Sequence, residues 1–338
     1  MESVVTDRKT IWVALMLAGL YGAVLMAGFL APYGAEAQDH DFAFAPPSRI
    51  HFADENRVFH CRPFVYRVEA NNDGGFAEDT KQRFPIYFFV RGRSLKPSWH
   101  LFGVEEPARL FLLGTDGYGR DQFSRFLYGG QLSLMAGLLA TALSLGLGVV
   151  LGALAGFYGG WVDEVLMRTT ELFLALPWLY LLFAIRAFLP LDISATQAFL
   201  LLIAVIGVVG WARPARMVRG VVLSARQRAF VQVARGLGAS DFYLLRRHVL
   251  PQASSVIFTQ AALLAPQYVL AEVALSYLGL GVGEPAPSWG NMLAALQQYH
   301  VLASYYWMFL PGLAMVPLFL LYHLLADAVQ ARSKGVPI

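Results

Sequence analysis

The 338-residue chain is poor in three things: cysteine, charge and catalytic signatures. Cys61 is its one cysteine, so neither a disulfide within the chain nor a cysteine-built metal cluster can form. Only 14% of its residues are charged, against about 25% in soluble domains. By contrast 57% are hydrophobic and the mean hydropathy is +0.51, which excludes a soluble globular protein. The 26 basic and 23 acidic residues leave a net charge of +3, and no Lys/Arg block is long enough for a nucleic-acid arm. Also missing are a Walker-type phosphate loop, a G-x-S-x-G elbow, an H-E-x-x-H helix and a dinucleotide fingerprint. No catalytic residue, metal ligand or cofactor site is therefore nominated. Without a phosphate loop, any ATP-driven work falls to a different polypeptide.

What the chain has in abundance is apolar length. A helix needs about 20 apolar residues to cross a bilayer, because each residue rises about 1.5 Å and the hydrocarbon is about 30 Å thick. Setting histidine aside, uncharged runs fall at residues 10–35, 126–162, 193–212, 249–271 and 285–326, and a sixth near 165–189 carries Glu171 and Arg186. The pattern predicts an all-α polytopic membrane protein with six transmembrane helices. Arg8-Lys9 and Ala35-Glu36-Ala37 flank the first run as in a signal peptide. Its 26 residues exceed the roughly 7–15 of a signal core, so it is expected to remain as a span.

Between the runs at 193–212 and 249–271, the fourth and fifth spans in chain order, lie Arg213, Arg216, Arg219, Arg226, Arg228, Arg235, Arg246 and Arg247, opposed only by Asp241. Eight minus one leaves +7, which by the positive-inside rule places this connection, and with six spans both termini, in the cytoplasm. The long segment after the first run is then external, and its alternating stretches at residues 64–69 and 84–90, separated by a turn at 71–75, predict a small β-containing insertion between helices 1 and 2. The expected domains are residues 1–35, an N-terminal transmembrane helix; 36–110, the external β-rich insertion; and 111–338, a core of five transmembrane helices with a cytoplasmic loop at 224–251. The insertion serves either as a structural cap or as a docking surface for a soluble partner.

That loop predicts a short helical hairpin. Phe230, Val233, Ala234 and Leu237 form one stripe, Gly236 and Gly238 stop the first helix, and Ser240 caps a second with Asp241 at its positive end. From the residues alone it either lies among anionic headgroups or fits a groove on a partner protein. Gln232, Val233 and Ala234, then Gly238, Ala239, Ser240 and Asp241, and finally His248 and Leu250-Pro251 follow the spacing of one known signature. The stretch resembles the cytoplasmic loop of ABC importer permeases, Glu-Ala-Ala, three residues, Gly, nine residues, Ile, one residue, Leu-Pro. Gln232, Val233 and His248 depart from that pattern.

Two more segments sharpen the likeness to the peptide, dipeptide and nickel branch of that superfamily. One is Leu113-Gly114-Thr115-Asp116-Gly117-Tyr118-Gly119-Arg120-Asp121 with Ser124-Arg125; the other runs from Ala271-Glu272 through Leu278-Gly279-Leu280-Gly281 to Pro287-Ser288-Trp289-Gly290-Asn291. The resemblance covers about two thirds of the chain. It implies a permease subunit of an ATP-driven importer in the bacterial inner membrane, working with a second permease subunit, two cytoplasmic ATPase subunits and an external substrate-binding protein. Membrane lipid is the remaining partner, and nucleic acid is not one.

Locally, Thr115 or Asp116 is expected to cap a short helix in which Asp121 and Arg125 pair at i, i+4 and Phe123, Phe126 and Leu127 face the membrane. Trp289 is expected as an interface anchor. Gln260, Gln267 and Glu272 are candidates for a path or gate. The alternative is a proton-coupled secondary transporter using Glu272 or Asp327.

Overall fold

A computed structural model describes residues 2–55, 57–70, 75–91, 99–188, 190 and 193–334. Two helices open the chain, α1 (Glu2–Leu25) and the short α2 (Ala27–Leu30). Five strands follow: β1 (His51–Ala53), β2 (Phe59–Ala70), β3 (Phe76–Pro85), β4 (Tyr87–Arg91) and β5 (Trp99–Gly103). The later elements are helices: α3 (Gln122–Tyr158), α4 (Gly160–Ala175), α5 (Trp178–Ala187), α6 (Ala195–Gly210), α7 (Ala212–Ala225), α8 (Ala229–Gly236) and α9 (Asp241–Leu244). Last come α10 (Ser254–Tyr277), α11 (Trp289–Ala294), α12 (Tyr299–Ser304) and α13 (Leu310–Lys334).

The chain divides into two compact units. One comprises residues 1–18, 134–275 and 316–338; the other comprises 19–133 and 276–315. Among the described residues, three helical stretches are long and apolar enough to cross a membrane, Gln122–Tyr158, Asp241–Tyr277 and Tyr306–Ala331. Two bent pairs raise this to five if each is one span: α4 with α5, at 89°, and α6 with α7, at 43°. Thr10–Leu25 is a shorter apolar helix. The 89° break falls at Leu176-Pro177, where Pro177 has no N–H for a continuing helix.

In the first unit, α3 meets α7 along a stripe of glycines four apart. A Cβ on Gly148 would lie 2.7 Å from Pro214 Cγ, on Gly152 2.3 Å from the Ala215 carbonyl oxygen, and on Gly156 2.8 Å from that of Arg219. The bare glycines let the two backbones touch, which in lipid replaces the hydrophobic drive that brings helices together in water.

In the second unit β1, β2 and β3 form an antiparallel sheet in that order, with Phe64 opposite Pro85 and Ala70 opposite Phe76, while β4 and β5 pair separately. Val65, Phe84, Ile86, Ala108 and Leu110 form its core. The stretch expected as one strand over 84–90 is two strands. Pro85 cannot donate to a ladder, and Ile86 turns inward, its N–H donating to the Pro63 carbonyl. Of the turn expected at 71–75, residues 71–74 lie outside the described residues.

Candidate functional site

The segment 113–125 folds into a charged knot in the second unit. Thr115 does not cap a helix; its hydroxyl donates to the Phe42 carbonyl and accepts from the Ala45 N–H. The cap of α3 is Asp121, whose carboxylate accepts from Ser124 N–H at 2.8 Å and Ser124 Oγ at 2.6 Å. Asp116 accepts from the backbone N–H groups of Tyr118 and Arg120 and from Arg120 Nε at 2.7 Å, so it closes a turn. Arg125 therefore does not pair with Asp121. Its Nη2 donates to Glu284 at 2.9 Å, and Arg120 Nη1 donates to the other Glu284 oxygen at 2.6 Å. Arg120 and Arg125 are 4% and 1% exposed, so Asp116 and the carboxylate of Glu284 from the Gly283-Glu284-Pro285 turn together compensate two buried guanidiniums.

Burial pushes the Asp121 carboxyl up to about 7, against the lowering effect of its Ser124 hydrogen bonds. Burial also acts to lower Arg120, but its bond to Glu284 and the charge of Asp116 outweigh it, and its guanidinium is held above its ordinary value. Beside the knot is a cavity of about 750 Å³ lined by Phe44, Tyr118, Arg120, Arg125, Glu284 and Gln298 among others. Trp289, expected at the membrane interface, is 1% exposed instead, because the loop folds back so that its ring stacks on Phe126 and its Nε1 donates to the Phe126 carbonyl. Leu127 is likewise buried, against Ala27 and Ala31.

The predicted hairpin is present in the first unit. α8 ends at Gly236, Gly238 takes φ +86° with its N–H on the Arg235 carbonyl, and Ser240 caps α9 through the Tyr243 N–H. Val231, Leu244 and Val249 anchor it against Phe157, Val218 and Val222. A π-helical turn at Leu245–Val249 brings the His248 ring between Phe230 and Tyr243. Gln232 Nε2 donates to the Arg226 carbonyl at 3.0 Å, a bond that a glutamate at this position cannot donate. Ala234 and Ala239 pack partly against the anchor, Arg235 pairs with Asp241 at 3.3 Å, and Leu250-Pro251 leads into α10. The stripe read from the sequence exists but faces away from the protein: Phe230 is 42% exposed, Val233 62% and Leu237 84%. Phe242 and Tyr243 join it at 71% and 51%.

Gln260, Gln267 and Glu272 all lie on α10 but do not form one surface. Gln260 and Glu272 are buried, whereas Gln267 is exposed and edges a small cavity with Trp178, Arg213 and Tyr268. His323 and Asp327 are exposed on α13, and the His323 ring donates to the Phe319 carbonyl. The residues missed by sequence reasoning are Glu284 and the glycine stripe of α3. Glu284 had no signal beyond standing between Gly283 and Pro285, whereas the four-residue spacing of Gly148, Gly152 and Gly156 is a small-residue pattern legible in the sequence.

Curated relatives match across most of these elements. A peptide permease protein of Brucella suis biovar 1 is 36% identical over 69% of this chain and 72% of its own length. The glutathione transport system permease protein of Pectobacterium atrosepticum is 34% identical over 67% and 73%. The dipeptide transport system permease protein of Alkalihalophilus pseudofirmus is 34% identical over 67% and 72%. Residues 148–335, which carry the hairpin and its anchor, match the family model of the binding-protein-dependent transport system inner membrane component. With its apolar helices and with more than half its length matched, the chain belongs to that family of inner membrane transport components.

Proposed function

We propose that the chain is one of two permease subunits of an ATP-driven importer of peptides. It makes the translocation path with the second permease as a heterodimer, while two cytoplasmic ATPase subunits hydrolyse ATP and an external binding protein delivers substrate. Peptide, dipeptide and glutathione transport are the activities in the names of the relatives, and all three substrates are peptides. The observation that carries the reading is the hairpin of α8 and α9. Buried Val231, Leu244 and Val249 hold it, and five apolar or aromatic side chains on its other face point away from its own protein. Exposed apolar groups on a rigid, short-helix element are suited to a groove on a partner, here the ATPase.

In this reading Gln232, Val233, Ala234, Gly238, Ala239, Ser240, Asp241, Leu250 and Pro251 form the ATPase-coupling loop. ATP-driven closure of the ATPase pair pushes on it, and the anchor residues pass the movement into α3, α7 and α10, with Gln260, Gln267 and Glu272 on the path. Six spans carry it: α1 with α2, α3, α4 with α5, α6 with α7, α10 and α13. Both termini are cytoplasmic and residues 36–110 are external. Family membership favours this reading over the proton-coupled alternative, in which Glu272 or Asp327 would work alone.

The test is purification of the tagged chain from its native membrane in mild detergent, with peptide uptake and ATP hydrolysis measured. A second permease and ATPase subunits should co-purify, and Gly238→Pro should abolish uptake, because proline cannot take φ +86° and loses the N–H bonded to Arg235. A stable lone chain, or uptake that follows the proton gradient and ignores ATP depletion, would overturn the proposal.

A further inference from the structure

The ribbon of β4 and β5 has no part in transport as proposed above, and its position is informative. It pairs Tyr87 with Gly103, Phe88 with Phe102, Val90 with His100 and Arg91 with Trp99, with no third strand among the described residues. A lone two-stranded ribbon is marginal in water, so its stability must come from what it touches. Two helix ends hold it, together with the sheet core on which Phe102 packs and Arg62 of β2 over the Tyr87 ring. The Phe89 ring lies 6.1 Å from that of Phe29 on α2, and the His100 ring donates through Nδ1 to the Ala31 carbonyl. Phe102 lies 6.0 Å from Phe123 in the first turn of α3. These two helix ends are level with each other, since Ala27, Ala31 and Leu127 share one buried cluster with Leu30 and Phe123 packed against it.

The helix ends locate the ribbon. The uncharged run begins at Thr10, and about 20 residues at about 1.5 Å each consume the hydrocarbon thickness by about Phe29. A ribbon touching Phe29 and Ala31 therefore sits where hydrocarbon gives way to headgroups. On it Phe88 is 59% exposed, Phe89 63% and Trp99 59%. Neither strand contains an acidic residue, and Arg91 stands opposite Trp99, as suits a layer of anionic headgroups. Phe88 and Phe102 also line an apolar groove of about 350 Å³ with Ile50, Phe52 and Leu112, so the apolar surface extends beyond the ribbon.

We propose that the β4–β5 ribbon is an interfacial membrane anchor, with Phe88, Phe89 and Trp99 seated in the outer leaflet of the bilayer. The partner is a lipid surface, and the inference rests on the reading that α1 and α3 cross the membrane. The anchor ties the external β segment to the bilayer and fixes its height above the helices.

The test uses site-directed spin labels on the full chain within its assembled complex, in vesicles of phosphatidylethanolamine and phosphatidylglycerol. Because Cys61 is the single cysteine and is exposed, Cys61→Ser provides a clean background. Separate labels go to Phe88→Cys and Trp99→Cys, to Leu15→Cys on the exposed side of α1, and to Glu69→Cys on β2 as a water reference. The proposal expects the ratio of collisions with oxygen to collisions with a water-soluble nickel chelate at positions 88 and 99 to be several-fold above that at 69 and below that at 15, which lies deeper in the hydrocarbon. If 88 and 99 behave like 69 while 15 stays in lipid, the spans stand and the anchor is refuted. Shielding of 88 and 99 from both reagents refutes it in favour of a protein occupant. A water-like label at 15 refutes the spanning reading itself.

Discussion

The charged knot around Asp116 and the hairpin of α8 and α9 both come from motif-bearing segments, yet they are finished to different degrees. In the knot Arg120 and Arg125 are almost wholly buried and their charges are met by Asp116 and Glu284 of the same chain. Among the described residues Asp121 Oδ1 and Arg125 Nε lack a hydrogen bond, but both are buried inside the fold, out of a partner's reach. In the hairpin the charged residues are exposed and paired loosely, and Leu237 and Phe242 are the most open of its apolar groups. Desolvated charges must be compensated within the fold or they unfold it, whereas exposed apolar groups are tolerated until a partner covers them. A motif that is complete in one chain reads as architecture, and one that is half complete reads as an interface.

The comparison breaks most sharply at Asp116. Asp116→Ala strands the Arg120 Nε–H and leaves two buried guanidiniums facing one half-exposed Glu284, so thermal unfolding of the detergent-solubilised chain should show a loss of about 3–5 kcal/mol. An undiminished midpoint would mean that the knot is ornamental to stability.

A smaller effect is expected at Asp121. Burial raises its pKa to about 7 in the folded chain, above the about 3.9 of an unfolded aspartate, so the folded state holds the proton more tightly. Its stabilising contribution is complete below the unfolded value and is lost as pH rises through about 7. Denaturant unfolding across that window should therefore weaken with rising pH, and Asp121→Asn should flatten the slope. An unchanged slope in the variant would place the titration elsewhere.

At Gly238 the hairpin should give way locally. An added Cβ meets nothing within 4 Å, so Gly238→Ala costs only the backbone strain at φ +86°, about 1–2 kcal/mol. Uptake per ATP hydrolysed should fall further than this cost implies, and transport unaffected by the substitution would argue against a coupling turn. Least costly to the fold is Leu237→Ser at an 84% exposed position, with stability within about 0.5 kcal/mol of the parent chain. The same variant should release ATPase subunits during purification, and undiminished retention would remove this face from the interface.

Much of this was legible in the residues. The hairpin needed only the punctuation of Gly236, Gly238 and Ser240, because a helix stop and a cap are local events. The bend at Pro177 is equally local, although the run near 165–189 conceals it as a single span. What misled was side-chain fate. Trp289 has an interface composition yet is buried on Phe126, and Asp121 and Arg125 have an ion-pair spacing yet bond to Ser124 and Glu284. Each outcome was set by a residue more than 150 positions away or by a competing backbone donor that spacing alone does not reveal.

The sequence by itself determined where the chain is apolar enough to be helical in lipid, the charge asymmetry on which the proposed orientation rests, and the family to which it belongs. These follow from composition, period and motif, which are properties of neighbouring residues. Only the tertiary structure decided that Glu284 closes the charged knot, that three glycines of α3 receive the backbone of α7, and that the stripe on α8 faces outward. Each depends on which distant surface arrives to compete for the same side chain. Packing, with its short range and its demand that buried charge be met, makes that choice.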